Sequence, residues 1–260
     1  MDKQITSRDG TPLAYARTGQ GPAVVLVSGA MSTGATVAPL AARLADRFTV
    51  VPYDRRGRGA SGDTPPYAVA REVEDLAALI EAVGGDAALY GISSGGALAL
   101  TAAASGLPVR QVAVYEPPFA VYEGGAEERA RYTRNLTEAL DQGRHGDAVE
   151  HFLRLTGLAE TMIQGARQSP IWADMEAIAP TLAYDDAVMG DGLVPRERLA
   201  AITVPVLAVA GGASPAWLRE ATRAVAETAP EGSYRTLEDQ THMVDPDVLA
   251  PVLAEFFAGS

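Results

Sequence analysis

Residues 87–104 read AALYGISSGGALALTAAA, and the fold is decided by this stretch. Ala87-Ala88-Leu89-Tyr90 is an apolar run of strand length, and Ala97 to Ala104 is a run of small, helix-forming residues. Between them, Ser93 has glycine two positions before it (Gly91) and two after it (Gly95). Ser94 lacks that pattern, because Ile92 stands two positions before it. A G-x-S-x-G turn between a strand and a helix forces a strained backbone at the serine. It holds the hydroxyl out above a sheet, and the glycines let strand and helix approach closely. The plainer reading of the same residues is a tight glycine turn with an inert serine.

Working outward, strand and helix patterns alternate. Gln4–Ser7 and Leu13–Arg17 flank the turn pair Asp9-Gly10 and read as a hairpin. Ala23-Val24-Val25-Leu26-Val27 is continuous, apolar and β-branched, the pattern of a buried parallel strand; a helical segment follows over Thr36–Leu44. Phe48–Tyr53 reads as the next strand. Ala68–Val83 carries a helical stripe of Val69, Val73, Leu76, Leu79, Ile80 and Val83, stopped by Gly84-Gly85. After the central turn come a strand at Val112–Tyr115, strands at Val206–Ala210 and Ser233–Leu237, and helices over Pro215–Thr228 and Asp247–Phe257. The order predicts an α/β fold with a mostly parallel central sheet covered by helices on both faces. Residues 1–118 and 199–260 would form the core domain. Residues 119–198 show helical patterns only and read as a helical cap insertion over the strands' C-terminal ends, where open sheets bind ligands.

With these motifs the chain resembles the α/β-hydrolase superfamily over nearly its whole length, among its capped esterase-like, haloperoxidase-like and C–C-bond-hydrolase-like members. The resemblance rests on the Gly91–Gly95 turn, Ser28-Gly29 after the third strand, Asp54-Arg55-Arg56-Gly57-Arg58-Gly59-Ala60-Ser61 after the fourth, and His242 after the last strand. Members usually have His-Gly where this chain has Ser28-Gly29. The Asp54–Ser61 segment is similar to a structural turn of the family and is given no catalytic part. The resemblance implies Ser93 as nucleophile, His242 as general base, and no cofactor or metal. Dehalogenases and epoxide hydrolases of this fold attack with a carboxylate, so a serine disfavours those reactions.

The triad acid departs from the family pattern. An Asp is usual a few residues past the strand Val206–Ala210, but here that segment reads Gly211-Gly212-Ala213-Ser214-Pro215. A serine cannot neutralise an imidazolium. Glu116, ending the strand Val112–Tyr115 beside the turn, is similar to the acid position of some members, including a subset with dehalogenase activity. Ser93, Glu116 and His242 then follow the order Ser, acid, His of this fold. The competing reading of Glu116 is a buried acid that caps a turn or meets an arginine such as Arg55. The other histidines, His145 and His151, lie among Arg144, Asp147 and Glu150 and read as solvated surface residues.

The oxyanion would be held by two backbone N–H groups: Ser94, at a helix start where N–H groups are unpaired, and Ala30, assigned by its place in the loop after the third strand. Phe119, Tyr122, Leu153, Met162, Ile163, Trp172, Met175 and Ile178 give the insert an apolar inner face. Met31, Phe119, Trp172 and Met243 are the pocket candidates, which implies a largely apolar small-molecule substrate. Hydrophobic residues make up 47% and charged residues 21%, the balance of a globular chain. A net charge of -12 argues against nucleic-acid or anionic-membrane partners. The absence of cysteine excludes thiolate chemistry, and with no apolar leader at Met1-Asp2-Lys3-Gln4 the expected location is cytoplasmic. Gly19-Gln20-Gly21 precedes a strand instead of following one and so gives no dinucleotide site. Three functional readings stay open: a serine hydrolase of an ester, lactone, thioester or similar activated carbonyl; non-hydrolytic or C–C-bond chemistry on the same fold; and a ligand-binding protein on a degenerate hydrolase scaffold.

Overall fold

The computed structural model describes residues 1–122 and 124–259. Its spine is a six-stranded parallel sheet of order β4-β3-β5-β6-β7-β8, built from β3 (Ala23–Val27), β4 (Thr49–Pro52), β5 (Ala87–Ile92), β6 (Val109–Tyr115), β7 (Val206–Gly211) and β8 (Gly232–Leu237). The hairpin β1 (Lys3–Thr6) and β2 (Pro12–Tyr15) forms its own two-stranded sheet. Antiparallel bridges Tyr15–Tyr53 and Thr18–Val50 lean the chain after it on the β4 edge.

Side chains alternate across the sheet, and the two faces bury different partners. Val25 and Val27 of β3 point into a core shared with α2 (Val69–Ala82), α3 (Ser94–Ala104) and α10 (Ala216–Thr228). Their neighbours Val24 and Leu26 point the other way, to α1 (Ala38–Leu44) and α11 (Pro246–Ala258). This is why the central strands read as apolar runs: both of their faces are covered, whereas the edge strand β8 carries exposed Ser233 and Arg235.

Between β6 and β7 the chain is helical: α4 (Gly125–Asp141), α5 (His145–Leu155), α6 (Glu160–Arg167), α7 (Trp172–Ile178), α8 (Leu182–Met189) and α9 (Arg196–Ala200). This insert has a small core of its own, around Tyr132, Leu136, Val149, Trp172 and Leu182. Its expected apolar inner face is only partly internal. Ile163 of α6 is fully buried but its neighbour Met162 is exposed, because a helix of eight residues can turn only one side inward; Tyr122, in the bend before α4, is exposed as well. His145 and His151 of α5 are half-buried, not freely solvated. Phe119 packs into the main core with Val188, Met189 and Val194, and Trp172 into that of the insert. Among the described residues no helix is long and apolar enough to cross a membrane.

Candidate active site

The parallel strands all end on one edge, and the chemically capable residues of the sequence collect there. Ser93 follows β5 directly and α3 begins at the next residue, so the turn is a single residue long. Its backbone has φ 57° and ψ -130°, a conformation costing about 1–3 kcal/mol for a non-glycine residue. Bonds on both sides hold it: the Ser93 N–H donates to the Tyr115 carbonyl at 2.9 Å, and the Ser93 carbonyl accepts from the Gly96 N–H at 2.9 Å. The flanking residues must be glycine. A Cβ on Gly91 would lie 2.3 Å from the Gly95 carbonyl oxygen, and one on Gly95 would lie 2.4 Å from that of Val27.

β6 runs beside β5 with Ile92 opposite Tyr115, which sets Glu116 next to Ser93 in register. Glu116 also has a positive φ, 46°, and is fully buried. Its carboxylate is divided between two partners. Oε1 accepts from the Gly211 N–H at 2.8 Å, and Oε2 lies 2.8 Å from Nδ1 of His242. Arg55 is not its partner; that arginine is engaged by Glu72 and Asp185. The His242 side chain is 40% exposed, so solvent reaches the imidazole while its acid stays dry. The loop bearing His242 is tied down by Tyr115, whose hydroxyl donates to the Thr241 carbonyl at 2.6 Å. Burial and the nearby Glu116 push the Tyr115 phenol well above its usual range, so it stays a donor.

Ser214, at the family's usual acid position, is buried, and its hydroxyl meets no partner among the described residues. Met243, beside His242, is 83% exposed at the rim. Ala30 and Met31 are half-buried and pack against the core of the insert. Among the described residues no protein acceptor engages the Ala30 or Ser94 N–H.

A buried ionic layer lies beneath these groups. Asp54 caps the loop around it through Gly34 and Ala60. Arg55, Arg56 and Arg58 are all fully or nearly fully buried. Arg55 forms a two-point pair with Glu72, 2.7 Å in each contact, and Arg56 does the same with Asp75 at 2.8 and 2.7 Å. Arg55 and Arg58 also converge on Asp185 of α8, at 2.7 and 2.6 Å. Burial raises the Asp185 carboxyl, but Arg58 and Arg55 beside it more than offset this and hold it below the ordinary carboxylate range. Asp185 escaped the sequence reading. The only signal for it was indirect: three arginines within four residues, Arg55 to Arg58, require carboxylates if buried.

Comparison with known proteins places this geometry in context. The model of the alpha/beta hydrolase family matches residues 24–252. An alpha/beta hydrolase from Sphaerobacter thermophilus superposes with a TM-score of 0.88 at 53% identity, covering 98% of this chain and all of the other. A 2-(acetamidomethylene)succinate hydrolase of Mesorhizobium japonicum is 32% identical over 210 residues, 75% of this chain and 72% of its own. A pimeloyl-[acyl-carrier protein] methyl ester esterase of Stenotrophomonas maltophilia is 41% identical over 98 residues, 37% of this chain and 36% of its own.

Proposed function

The chain belongs to the alpha/beta hydrolase family, and from that premise we propose that it is a cofactor-independent serine hydrolase cleaving an ester, lactone, thioester or similar activated carbonyl. The observation that carries this reading is the 2.8 Å contact between Glu116 and His242 Nδ1, on the sheet edge that presents Ser93 on a strained turn. In this mechanism Glu116 fixes the proton on Nδ1, which leaves Nε2 free as a base. His242 takes the Ser93 proton as Oγ attacks the carbonyl carbon, and returns it to the leaving group when the tetrahedral intermediate collapses. Water then attacks the acyl-enzyme by the same route, releasing the acid and restoring Ser93. The Ala30 and Ser94 N–H groups take up the oxyanion charge; each is worth about 3 kcal/mol of barrier. The substrate is a small, largely apolar molecule, in keeping with Met31 and Met243 near the site. Hydrolase names among the relatives support the reaction class.

The test is labelling by a fluorophosphonate probe together with turnover of p-nitrophenyl butyrate. Wild-type protein is expected to take one label at Ser93, and Ser93→Ala to lose both label and turnover. Correctly folded protein that takes no label would overturn the reading.

A further inference from the structure

The arginine-rich turn after β4 touches the opposite side of the site from Glu116, and what it touches is specific. Arg58 donates from Nη1 to the Gly29 carbonyl at 2.7 Å and to that of Ser32 at 3.4 Å. Its other terminal nitrogen reaches Oδ2 of Asp185 at 2.6 Å, and its Nε reaches the Thr181 hydroxyl at 3.1 Å. Oδ1 of Asp185 accepts from the Ser94 hydroxyl at 2.8 Å and from Arg55 Nη1 at 2.7 Å; that same nitrogen lies 3.4 Å from the Ser28 carbonyl oxygen. One carboxylate of the helical insert is therefore joined to Ser94 directly and to the Gly29–Ala30 peptide through a single arginine.

A trans peptide points its C=O and its N–H in opposite directions. Anchoring the Gly29 oxygen to Arg58 therefore fixes where the Ala30 N–H points, which is away from the arginine. Gly29 itself passes close to the nucleophile: a Cβ there would sit 3.0 Å from that of Ser93. Unanchored, this peptide could rotate and turn its carbonyl toward the site, replacing a donor with an acceptor.

We propose that Arg58 and Asp185 are positioning residues for the oxyanion hole, Arg58 setting the Ala30 amide and Asp185 locking both donor segments to the helical insert. The proposal rests on the serine-hydrolase reading above. Its consequence is that the insert's seating on the core and the competence of the oxyanion hole are linked through α8. Neither residue touches the substrate, so their loss acts on the transition state and not on ground-state binding.

The experiment compares Arg58→Lys, Asp185→Asn and the double variant Arg58→Met/Asp185→Asn with wild type. The double variant removes both charges together, which avoids stranding one buried ion if the single changes fail to fold. Readouts are melting temperature, kcat and KM for p-nitrophenyl butyrate, and the inhibition constant of an alkylboronic acid, whose tetrahedral adduct occupies the oxyanion hole. The double variant is expected to fold and to lose about a hundredfold in kcat, the scale of one missing oxyanion donor, with KM within about threefold. Boronate affinity should fall by a factor similar to that in kcat. Arg58→Lys, which retains the charge on a single donor nitrogen and so cannot reach all of the arginine's partners, should fall between the double variant and wild type. A folded double variant with wild-type kcat and boronate affinity overturns the proposal. Wild type that neither turns over ester nor takes label at Ser93 removes its premise instead, and the two failures are told apart by that wild-type control.

Discussion

Replacing Glu116 by Gln is the sharpest perturbation of the site, because it changes one heavy atom and leaves the shape. The carboxylate faces two donors, the Gly211 N–H and His242 Nδ1, each at 2.8 Å. A glutamine has one acceptor and one donor end, so it can serve only one of them. If its oxygen keeps Gly211, its NH2 meets Nδ1 and forces the imidazole proton onto Nε2, the nitrogen that must receive the Ser93 proton. If the amide is reversed, the Gly211 N–H is left facing a donor in a fully buried place, at about 1–3 kcal/mol. The first arrangement avoids that penalty and is the inactive tautomer. Loss of the orienting carboxylate in such a triad costs about ten-thousandfold in kcat, equivalent to about 5.5 kcal/mol of barrier. The assay is steady-state hydrolysis of p-nitrophenyl butyrate, with fluorophosphonate labelling kinetics as a second measure and thermal melting as the folding control. KM should move little. A folded Glu116→Gln protein with kcat within tenfold of wild type would refute the assignment of Glu116 as the triad acid.

Three other outcomes follow from the same structure. Ser214→Ala removes a buried hydroxyl that has no partner among the described residues, so ester turnover should be unchanged and the melting temperature equal or slightly higher, a gain of up to about 1 kcal/mol in chemical denaturation. Gly95→Ala would press a methyl group to 2.4 Å from the Val27 oxygen, and denaturant titration should show a loss of about 1–3 kcal/mol together with reduced turnover as the Ser93 turn shifts. The Asp185 and Glu72 carboxyls are raised by burial, but their arginines outweigh this and hold both below the ordinary carboxylate range. Since the folded values lie below the unfolded ones, the stabilisation is complete above about pH 4 and is lost as pH falls through the folded values, so acid unfolding monitored by circular dichroism should start below that pH.

The sheet was legible because covered parallel strands admit only apolar residues, as at Ala23–Val27, which the structure matches residue for residue. Polar residues hid the start of β6: the apolar run begins at Val112, yet the strand begins at Val109. Its extra residues are satisfied from outside the strand, Arg110 by Asp86 and the Ala23 carbonyl, and Gln111 by the Phe256 carbonyl. Such partners are distant in sequence and leave no periodic trace. The same holds for Asp185, which meets Arg55 across 130 positions. The Gly91–Gly95 turn was readable because its spacing is local, and the place of Glu116 in the fold because it ends a recognisable strand. Which way Met162 faces was not, since an apolar side chain in a short helix says only that it prefers burial; Phe119 lies in the irregular stretch after β6, where no period shows a direction.

Glu116 and Ser93 sit at the tips of neighbouring strands, hydrogen-bonded in register through Tyr115. Their spacing is therefore as stiff as the sheet itself. Of the three, only the imidazole hangs on a loop, held by the Tyr115 hydroxyl at Thr241, by the Ala213 N–H at the Gln240 carbonyl and by the bond to Glu116. In the proposed mechanism, excursions of the segment from Gln240 to Asp245 become the chief source of non-productive geometry. Turnover would then respond to rigidity in those six residues more than to any loosening elsewhere on the sheet edge.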